Sequence, residues 1–317
     1  MSQQYRNPLR NPVHYTTPQL RTKLNKFIVG AGAAGSVLAS KLSEDPKETV
    51  LLLEAGGDNV NNDEIKVPLK FSKLFHTEHD WDYYTVEQPG LASRRSYWPP
   101  RSHDRWLNDD PTVFGVEFQT HRGGEHPELL LLSGIGPEEE LSKHRIPIVR
   151  ANDAVGKNLK DHLATTTIMC KAKPGARLDY LDSTLKAMPS IARYKLFGGG
   201  PLSSNAGEAA TFFRSIGPDV ESIGSPLAYI HHGEEAAPEG VGMFSLVPIS
   251  LRQQRKGIIT LNSRDAFDHP TIDPKYFSDA EDNDRTFLLV ALRVSLRIMR
   301  SSALQQYLEP VPVNDDP

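Results

Sequence analysis

Four residues near the start of the chain have the types and spacing of a dinucleotide-binding turn. Gly30, Gly32 and Gly35 form the pattern GxGxxG, and Glu54 ends the next apolar run. In such a turn the first glycine permits a tight bend, the second lets the backbone approach a pyrophosphate, and the third lets a helix pack closely on a strand. The helix N-terminus offers unpaired amides to the phosphates, and Glu54 would accept a hydrogen bond from a ribose hydroxyl.

The elements that must position these residues are also readable. Lys26–Val29 predicts a first strand, apolar residues at helical spacing from Ala34 to Leu42 predict a helix, and Pro46 closes it. The apolar run Thr49–Leu53 then predicts a second, parallel strand. This strand–helix–strand–acid order favours a nucleotide site over a plain glycine-rich turn. It suits NAD and FAD equally well.

Other polar groups suggest weaker alternatives. His231 and His232 precede Glu234 and Glu235, which resembles a metal cluster. Adjacent strand residues point to opposite faces, and no ligand spacing of a known metal motif is present. We therefore expect a solvated loop there and no metal site.

Two further groups carry nucleophile or acid–base chemistry in other proteins. Asp161-His162 could be an orienting acid and a general base, although a structural role is favoured. Ser133 lacks the strand–elbow–helix context of a GxSxG nucleophile, so we expect it to end a helix that starts at Pro127. His103-Asp104-Arg105 is expected to be an exposed loop.

Composition narrows the class of protein. The chain has 317 residues, enough for about two domains, and its 38% hydrophobic and 24% charged content is typical of a folded protein. The net charge of −4 gives no electrostatic footprint for nucleic acid. The single cysteine, Cys170, excludes an intrachain disulfide and a multi-cysteine zinc site, and its apolar neighbours predict a buried or half-buried thiol, not a nucleophile.

The first 24 residues are polar, contain proline and have no apolar run, so no secretory signal is predicted. No later segment is long and apolar enough to span a membrane. We expect a cytoplasmic protein with no membrane partner, and the sequence does not predict its oligomeric state.

The second half of the chain has a different character. Leu227–His231, Gly242–Leu246 and Gly257–Asn262 predict strands of an antiparallel sheet, and 284–300 predicts a long helix. Val155–His162 is expected to be a loop that precedes the domain boundary. The chain is thus predicted to be α/β followed by α+β, with an extended lead-in at 1–24 and domains at 25–163 and 164–317.

Six stretches occur in the order found in one family. The chain resembles the glucose–methanol–choline (GMC) oxidoreductases, especially their aryl-alcohol-oxidase-like and choline-dehydrogenase-like branches. The matching stretches are Gly30–Ala39, Leu51–Gly57, Pro127–Pro137, Val155–His162, Gly200–Asn205 and Asp268–Pro274. Of these, Leu-Leu-Ser-Gly-Ile-Gly and Gly-x-Asn-Leu-x-Asp-His are far more specific than the glycine turn alone.

The resemblance implies an FAD-binding Rossmann-like domain and a substrate domain built on an antiparallel sheet. It implies that small-molecule alcohols are oxidised by hydride transfer to FAD, and it favours FAD over NAD. The residues implied to meet the pyrophosphate are Gly30, Gly32 and Gly35 with the backbone of Ala33 and Ala34. Glu54 is implied to meet the adenosine ribose.

The chain also departs from the family's pattern. After Trp98-Pro-Pro-Arg101 the family has a Gly-Gly-Ser-Ser-like flavin loop, whereas here the chain passes directly to Ser102-His103. A strand and small-residue turn are also missing before Pro127, and His126 stands where the family has serine or threonine. Both departures predict internal deletions.

The family's catalytic histidine belongs to a segment beyond the helix at 284–300, and the sequence reaches Pro317 before any such segment. No catalytic residue is therefore assigned, the substrate domain is expected to be incomplete, and little or no turnover is expected. The alternative function is a truncated, non-catalytic nucleotide-binding relic or regulatory fragment.

Overall fold

The computed structural model describes most of the chain. The described residues are 26–30, 33–53, 63–77, 80, 82–98, 125–164, 168–174, 176, 178–214, 218–230, 235, 241–265 and 268–310. Several predictions lie outside the described residues. These are the predictions on 1–24, Gly32, Glu54, 99–124, His231, His232 and Glu234.

Strands and helices alternate in the first half and strands dominate the middle of the second. The strands are β1 (Lys26–Val29), β2 (Val50–Leu53), β3 (Tyr83–Tyr84), β4 (Tyr97–Trp98), β5 (Ile135–Gly136), β6 (Arg150–Ala151), β7 (Lys157–Leu159), β8 (Ile168–Lys171), β9 (Ala209–Arg214), β10 (Pro218–Ser225), β11 (Met243–Ser250), β12 (Gly257–Thr260) and β13 (Thr271–Asp273). The α-helices are α1 (Ala33–Leu42), α2 (Asp63–Lys66), α3 (Glu125–Leu132), α4 (Glu138–Lys143), α5 (Thr184–Phe197), α6 (Asn283–Met299) and α7 (Ser302–Gln305). Within the described part of the chain, none of these helices has the length and apolar character needed to cross a bilayer.

The chain forms two compact units, each assembled from three separate stretches. Unit 1 comprises Met1–Asn61, Pro100–Gly156 and Ile259–Pro270. Unit 2 comprises Asn62–Pro99, Lys157–Ile258 and Thr271–Pro317. The domain ranges predicted from the sequence, 25–163 and 164–317, stay predictions.

Unit 1 contains the predicted strand–helix–strand. β1 and β2 pair in parallel with Lys26 opposite Val50 and Val29 opposite Leu53, and α1 connects them. The core of the unit is formed by Leu131, Leu141 and Leu261, each at most 3% exposed. The helix predicted from Pro127 is α3, and it ends at Leu132, directly before Ser133.

Unit 2 is built on a four-stranded antiparallel sheet with the order β8-β11-β10-β9. Helix α6 packs on β10 and β11, and its buried residues Leu288, Ala291, Ser295 and Met299 recur at helical spacing. The predicted helix at 284–300 and the predicted antiparallel sheet are therefore confirmed, as is the α/β fold class with separate parallel and antiparallel pairings.

Cys170 lies in the apolar cluster beneath this sheet, with Leu246, Met299 and Leu308. The residue is 7% exposed, and its thiol donates a hydrogen bond to the backbone oxygen of Glu309, 3.0 Å away. Burial raises the pKa of this thiol. The predicted buried cysteine is confirmed.

Three strand predictions need correction. Residues 227–230 do not form a strand, because the Ser245 hydroxyl accepts from the backbone amide of Tyr229 and donates to the carbonyl of Leu227 in place of a strand partner. β12 belongs to a separate sheet with the order β13-β12-β7, not to the sheet of β11. The predicted loop Val155–His162 contains β7, which pairs with β12.

A buried ion pair joins distant stretches of unit 2. Arg255 Nη1 lies 3.3 Å from Asp284 Oδ2, and the two side chains are 1% and 2% exposed. The same guanidinium donates to the carbonyls of Pro274 and Asp161 at 3.2 and 2.9 Å and lies over the ring of Tyr276. Together these contacts replace the hydrogen bonds to water that the guanidinium loses when it is buried.

Unit 2 also contains an exposed ion pair, which allows the effect of burial on the stability of an ion pair to be tested. Arg285 pairs with Asp282 at 3.2 Å and lies over Phe277, but both charged side chains are about half exposed. We expect Arg255→Ala to lower the free energy of unfolding by about 3–5 kcal/mol, because Asp284 is left buried without its partner. Arg285→Ala should cost less than about 1 kcal/mol. Urea denaturation followed by circular dichroism measures both, and equal losses would contradict the role given to burial.

Candidate dinucleotide-binding site

The turn after β1 has the geometry that the glycine pattern predicts. Gly30 adopts a φ of +88°, a conformation that residues with a Cβ rarely adopt. A Cβ added to Gly35 would lie 1.8 Å from the backbone oxygen of Gly30 and 3.4 Å from the Ile28 side chain. Only glycine lets α1 approach β1 this closely, which is the packing role predicted for Gly35.

The N-terminus of α1 suits an anionic ligand. The helix begins at Ala33, Ala34 is exposed in its first turn, and that turn contains no acidic residue. The first amides of a helix lack intrahelical partners and carry the positive end of its dipole. A pyrophosphate would therefore meet donors and no competing carboxylate. The assignment of Gly30, Ala33, Ala34 and Gly35 to cofactor binding stays a prediction, and Gly32 and Glu54 lie outside the described residues.

In the motif from Val155 to His162, backbone conformation explains why glycine and asparagine occupy their positions. Gly156 and Asn158 adopt φ values of +75° and +64°, and asparagine is among the residues that tolerate this region. A Cβ on Gly156 would lie 2.3 Å from the carbonyl oxygen of Ile259, whose amide donates to Gly156 at 2.7 Å. The glycine and asparagine of this motif thus have backbone roles.

The acid of the same motif also has a structural partner. Asp161 Oδ2 accepts a hydrogen bond of 2.6 Å from the Tyr276 hydroxyl, which in turn accepts one of 3.0 Å from Trp98 Nε1. Burial, and then the charge of Asp161, raise the pKa of the Tyr276 hydroxyl, so it stays protonated and donates. His162 is exposed. These contacts support the structural interpretation of Asp161-His162.

One group of possible metal ligands was not singled out from the sequence. His76, Asp80 and Asp82 each offer a ligand atom, and these atoms lie within 4.8 Å of one another. His76 Nδ1 lies 2.5 Å from Asp82 Oδ1, and Asp80 accepts from the Tyr97 hydroxyl and from the amides of His76 and Asp82. Hydrogen bonds account for the arrangement without an ion. The spacing HxxxDxD was the available signal, and the expected absence of a metal stays a prediction.

The close packing at Gly35 can be tested against a glycine in open surroundings. Gly35→Ala should lower the free energy of unfolding by about 3 kcal/mol, because the methyl group would overlap the backbone of Gly30. The control is Gly199→Ala, where an added Cβ meets only the Phe197 oxygen at 4.0 Å. That change should stay within about 1 kcal/mol of the unmodified protein. Similar unfolding curves for the two variants would disprove the close approach.

Comparison with known proteins agrees with this geometry. No protein-family model matches the chain. It is 25% identical over 453 aligned residues to an uncharacterised GMC-type oxidoreductase of Mycobacterium tuberculosis, covering 90% of this chain and 83% of that one. It is 33% identical over 186 residues to the oxygen-dependent choline dehydrogenase of Escherichia coli, covering 57% of this chain and 32% of that enzyme.

The fold is shared with solved structures as well. A structure of the formate oxidase of Aspergillus oryzae, determined to study modification of its FAD, matches with a TM-score of 0.72 and 17% identity, over 92% of this chain and 84% of that one. The six ordered motifs, the mycobacterial relative and this fold agree with one another. Over most of its length the chain is similar to proteins named GMC-type oxidoreductases.

Proposed function

We propose that the protein is an FAD-dependent oxidoreductase that acts on the CH–OH group of a small-molecule alcohol. The observation that carries the proposal is the packing of Gly35 against the Gly30 backbone, which builds a dinucleotide turn at the head of α1. The similarity to GMC-type oxidoreductases favours FAD among the dinucleotides, and the choline dehydrogenase relative supports an alcohol as the substrate. The cytoplasmic location and the lack of a nucleic-acid partner stay predictions.

This chain's own residues would hold one end of the cofactor. The amides of Ala33, Ala34 and Gly35 would donate to the pyrophosphate, and Glu54 is the residue predicted to accept from the ribose. FAD, when bound, supplies the acceptor for the hydride that leaves the alcohol carbon. The protein's contribution at this turn is to bind and orient, and no described residue is assigned to accept the hydroxyl proton.

The alignment with the mycobacterial relative indicates whether this chain lacks segments that turnover would require. The alignment runs over 453 residues, whereas this chain has 317 in total, so it includes internal gaps in this chain. That is consistent with the predicted internal deletions, and the absence of the flavin loop expected after Arg101 stays a prediction. Adenine-end binding and alcohol oxidation are therefore separate properties of this chain, and they need separate measurements.

The first measurement concerns which end of the cofactor is recognised. We expect purified protein to bind FAD in isothermal titration calorimetry and ADP to compete with it, because α1 meets the pyrophosphate. FMN, which has a single phosphate and no adenine, should compete poorly. Gly35→Ala should abolish FAD binding while Gly199→Ala retains it. Equal binding of FMN and FAD, or binding of NAD in preference to FAD, would refute the assignment.

The second measurement concerns chemistry. Anaerobic mixing of the FAD-loaded protein with choline and with an aryl alcohol should bleach the flavin absorbance, at a rate well below that of intact family members because the expected flavin loop is absent. Bleaching by either alcohol supports the proposed oxidoreductase. A protein that binds FAD and is not bleached by any alcohol is the non-catalytic relic instead.

A further inference from the structure

Helix α5 (Thr184–Phe197) exposes an unusual amount of apolar surface. Leu185, Met188, Leu196 and Phe197 are 87%, 55%, 73% and 80% exposed. Single exposed apolar residues are common on protein surfaces, but four on one helix of 14 residues need a physical explanation.

Three of the four exposed residues lie on one side of the helix, and Phe197 ends it. Leu185, Met188 and Leu196, with Ala192 between them, follow the helical spacing that aligns side chains in a row. The opposite side packs on unit 2, where Ala187 is 3% exposed and the Tyr194 hydroxyl donates to the carbonyl of Lys66 at 2.8 Å. The helix is therefore fixed on its inner side and apolar on its outer side.

Basic residues border this outer side. The helix sequence TLKAMPSIARYKLF contains Lys186, Arg193 and Lys195 and no acidic residue. At the angular step of an α-helix, Lys195 lies along one edge of the apolar row, and Arg193 and Lys186 lie along the other. All three side chains are exposed. The local charge is thus opposite in sign to the net charge of −4 of the whole chain.

The basic residues beside the apolar row of α5 indicate which kind of partner can cover its outer side. A second copy docked through the same face would bring two sets of basic side chains together, which is unfavourable in a symmetric interface. An apolar row bordered by lysine and arginine is instead the pattern of a helix that lies in the membrane interface. Its apolar side enters the acyl region while its basic side chains meet anionic headgroups.

We propose that α5 attaches the protein to an anionic lipid surface through Leu185, Met188 and Leu196, with Lys186, Arg193 and Lys195 as headgroup contacts. The expectation of no membrane partner considered only segments long enough to span a bilayer, and a helix lying along the surface does not need that length. This attachment is independent of FAD binding and of any alcohol oxidation.

Vesicle sedimentation of the full chain tests the proposal. The protein should sediment with phosphatidylcholine vesicles that contain phosphatidylserine, far less with phosphatidylcholine alone, and less at high salt. The double variant L185S/L196S should lose binding. Because both residues are more than 70% exposed, its circular dichroism should be unchanged. Lys195→Gln should weaken partitioning about fivefold.

Two control variants separate this face from general effects. Phe212→Ser removes an apolar side chain that is 60% exposed on β9, and Lys143→Gln removes an exposed charge at the end of α4. Both should bind vesicles as the unmodified protein does. Absence of vesicle binding, equal binding to neutral vesicles, or equal losses in the controls would overturn the proposal. A dimer in size-exclusion chromatography that dissociates in L185S/L196S would also overturn it, in favour of a second copy.

Discussion

The buried charge of Arg255 is the constraint on which unit 2 depends. A guanidinium removed from water must be neutralised and fully hydrogen-bonded, and here the partners come from three separate stretches: Asp161 after β7, Pro274 after β13 and Asp284 in the first turn of α6. The Tyr276 ring covers the guanidinium, and its hydroxyl returns to Asp161. The same guanidinium therefore contacts all three stretches. It holds the end of the Val155–His162 motif close to the end of β13 and the start of α6.

The specific family signature proves to encode backbone geometry. Gly35 allows a helix to meet a carbonyl, Gly156 does the same at Ile259, and Asn158 accepts a left-handed backbone. None of these side chains carries out chemistry. This explains why the resemblance of these motifs to one family is specific and yet assigns no catalytic residue: the described motif residues determine backbone geometry.

The helices and strands that could be predicted are those whose signals lie within a short stretch of sequence. β1, α1, β2, α3 and α6 could be predicted from the spacing of their apolar residues and from stop signals such as Pro46, because both signals lie within the segment itself. β9 and β10 were missed because β10 reads Pro-Asp-Val-Glu-Ser-Ile-Gly-Ser, in which turn-forming and polar residues hide the alternation. The pairing of Arg255 with Asp284 had no local signal at all, since the two residues are brought together only by the tertiary fold. The turn at Gly30 was predicted correctly because its constraint is steric and lies within a few residues.

The single cysteine has a practical consequence for spectroscopy. Cys170 is the one thiol in the sequence; it is buried on β8 beside Met299 of α6, and it donates a hydrogen bond to the Glu309 carbonyl. A thiol in this state reacts slowly with alkylating reagents, because the reactive form is the thiolate. The natural chain therefore serves as its own cysteine-free background. A cysteine introduced at any exposed position would accept a spin label or fluorophore selectively, with no need to alter the core.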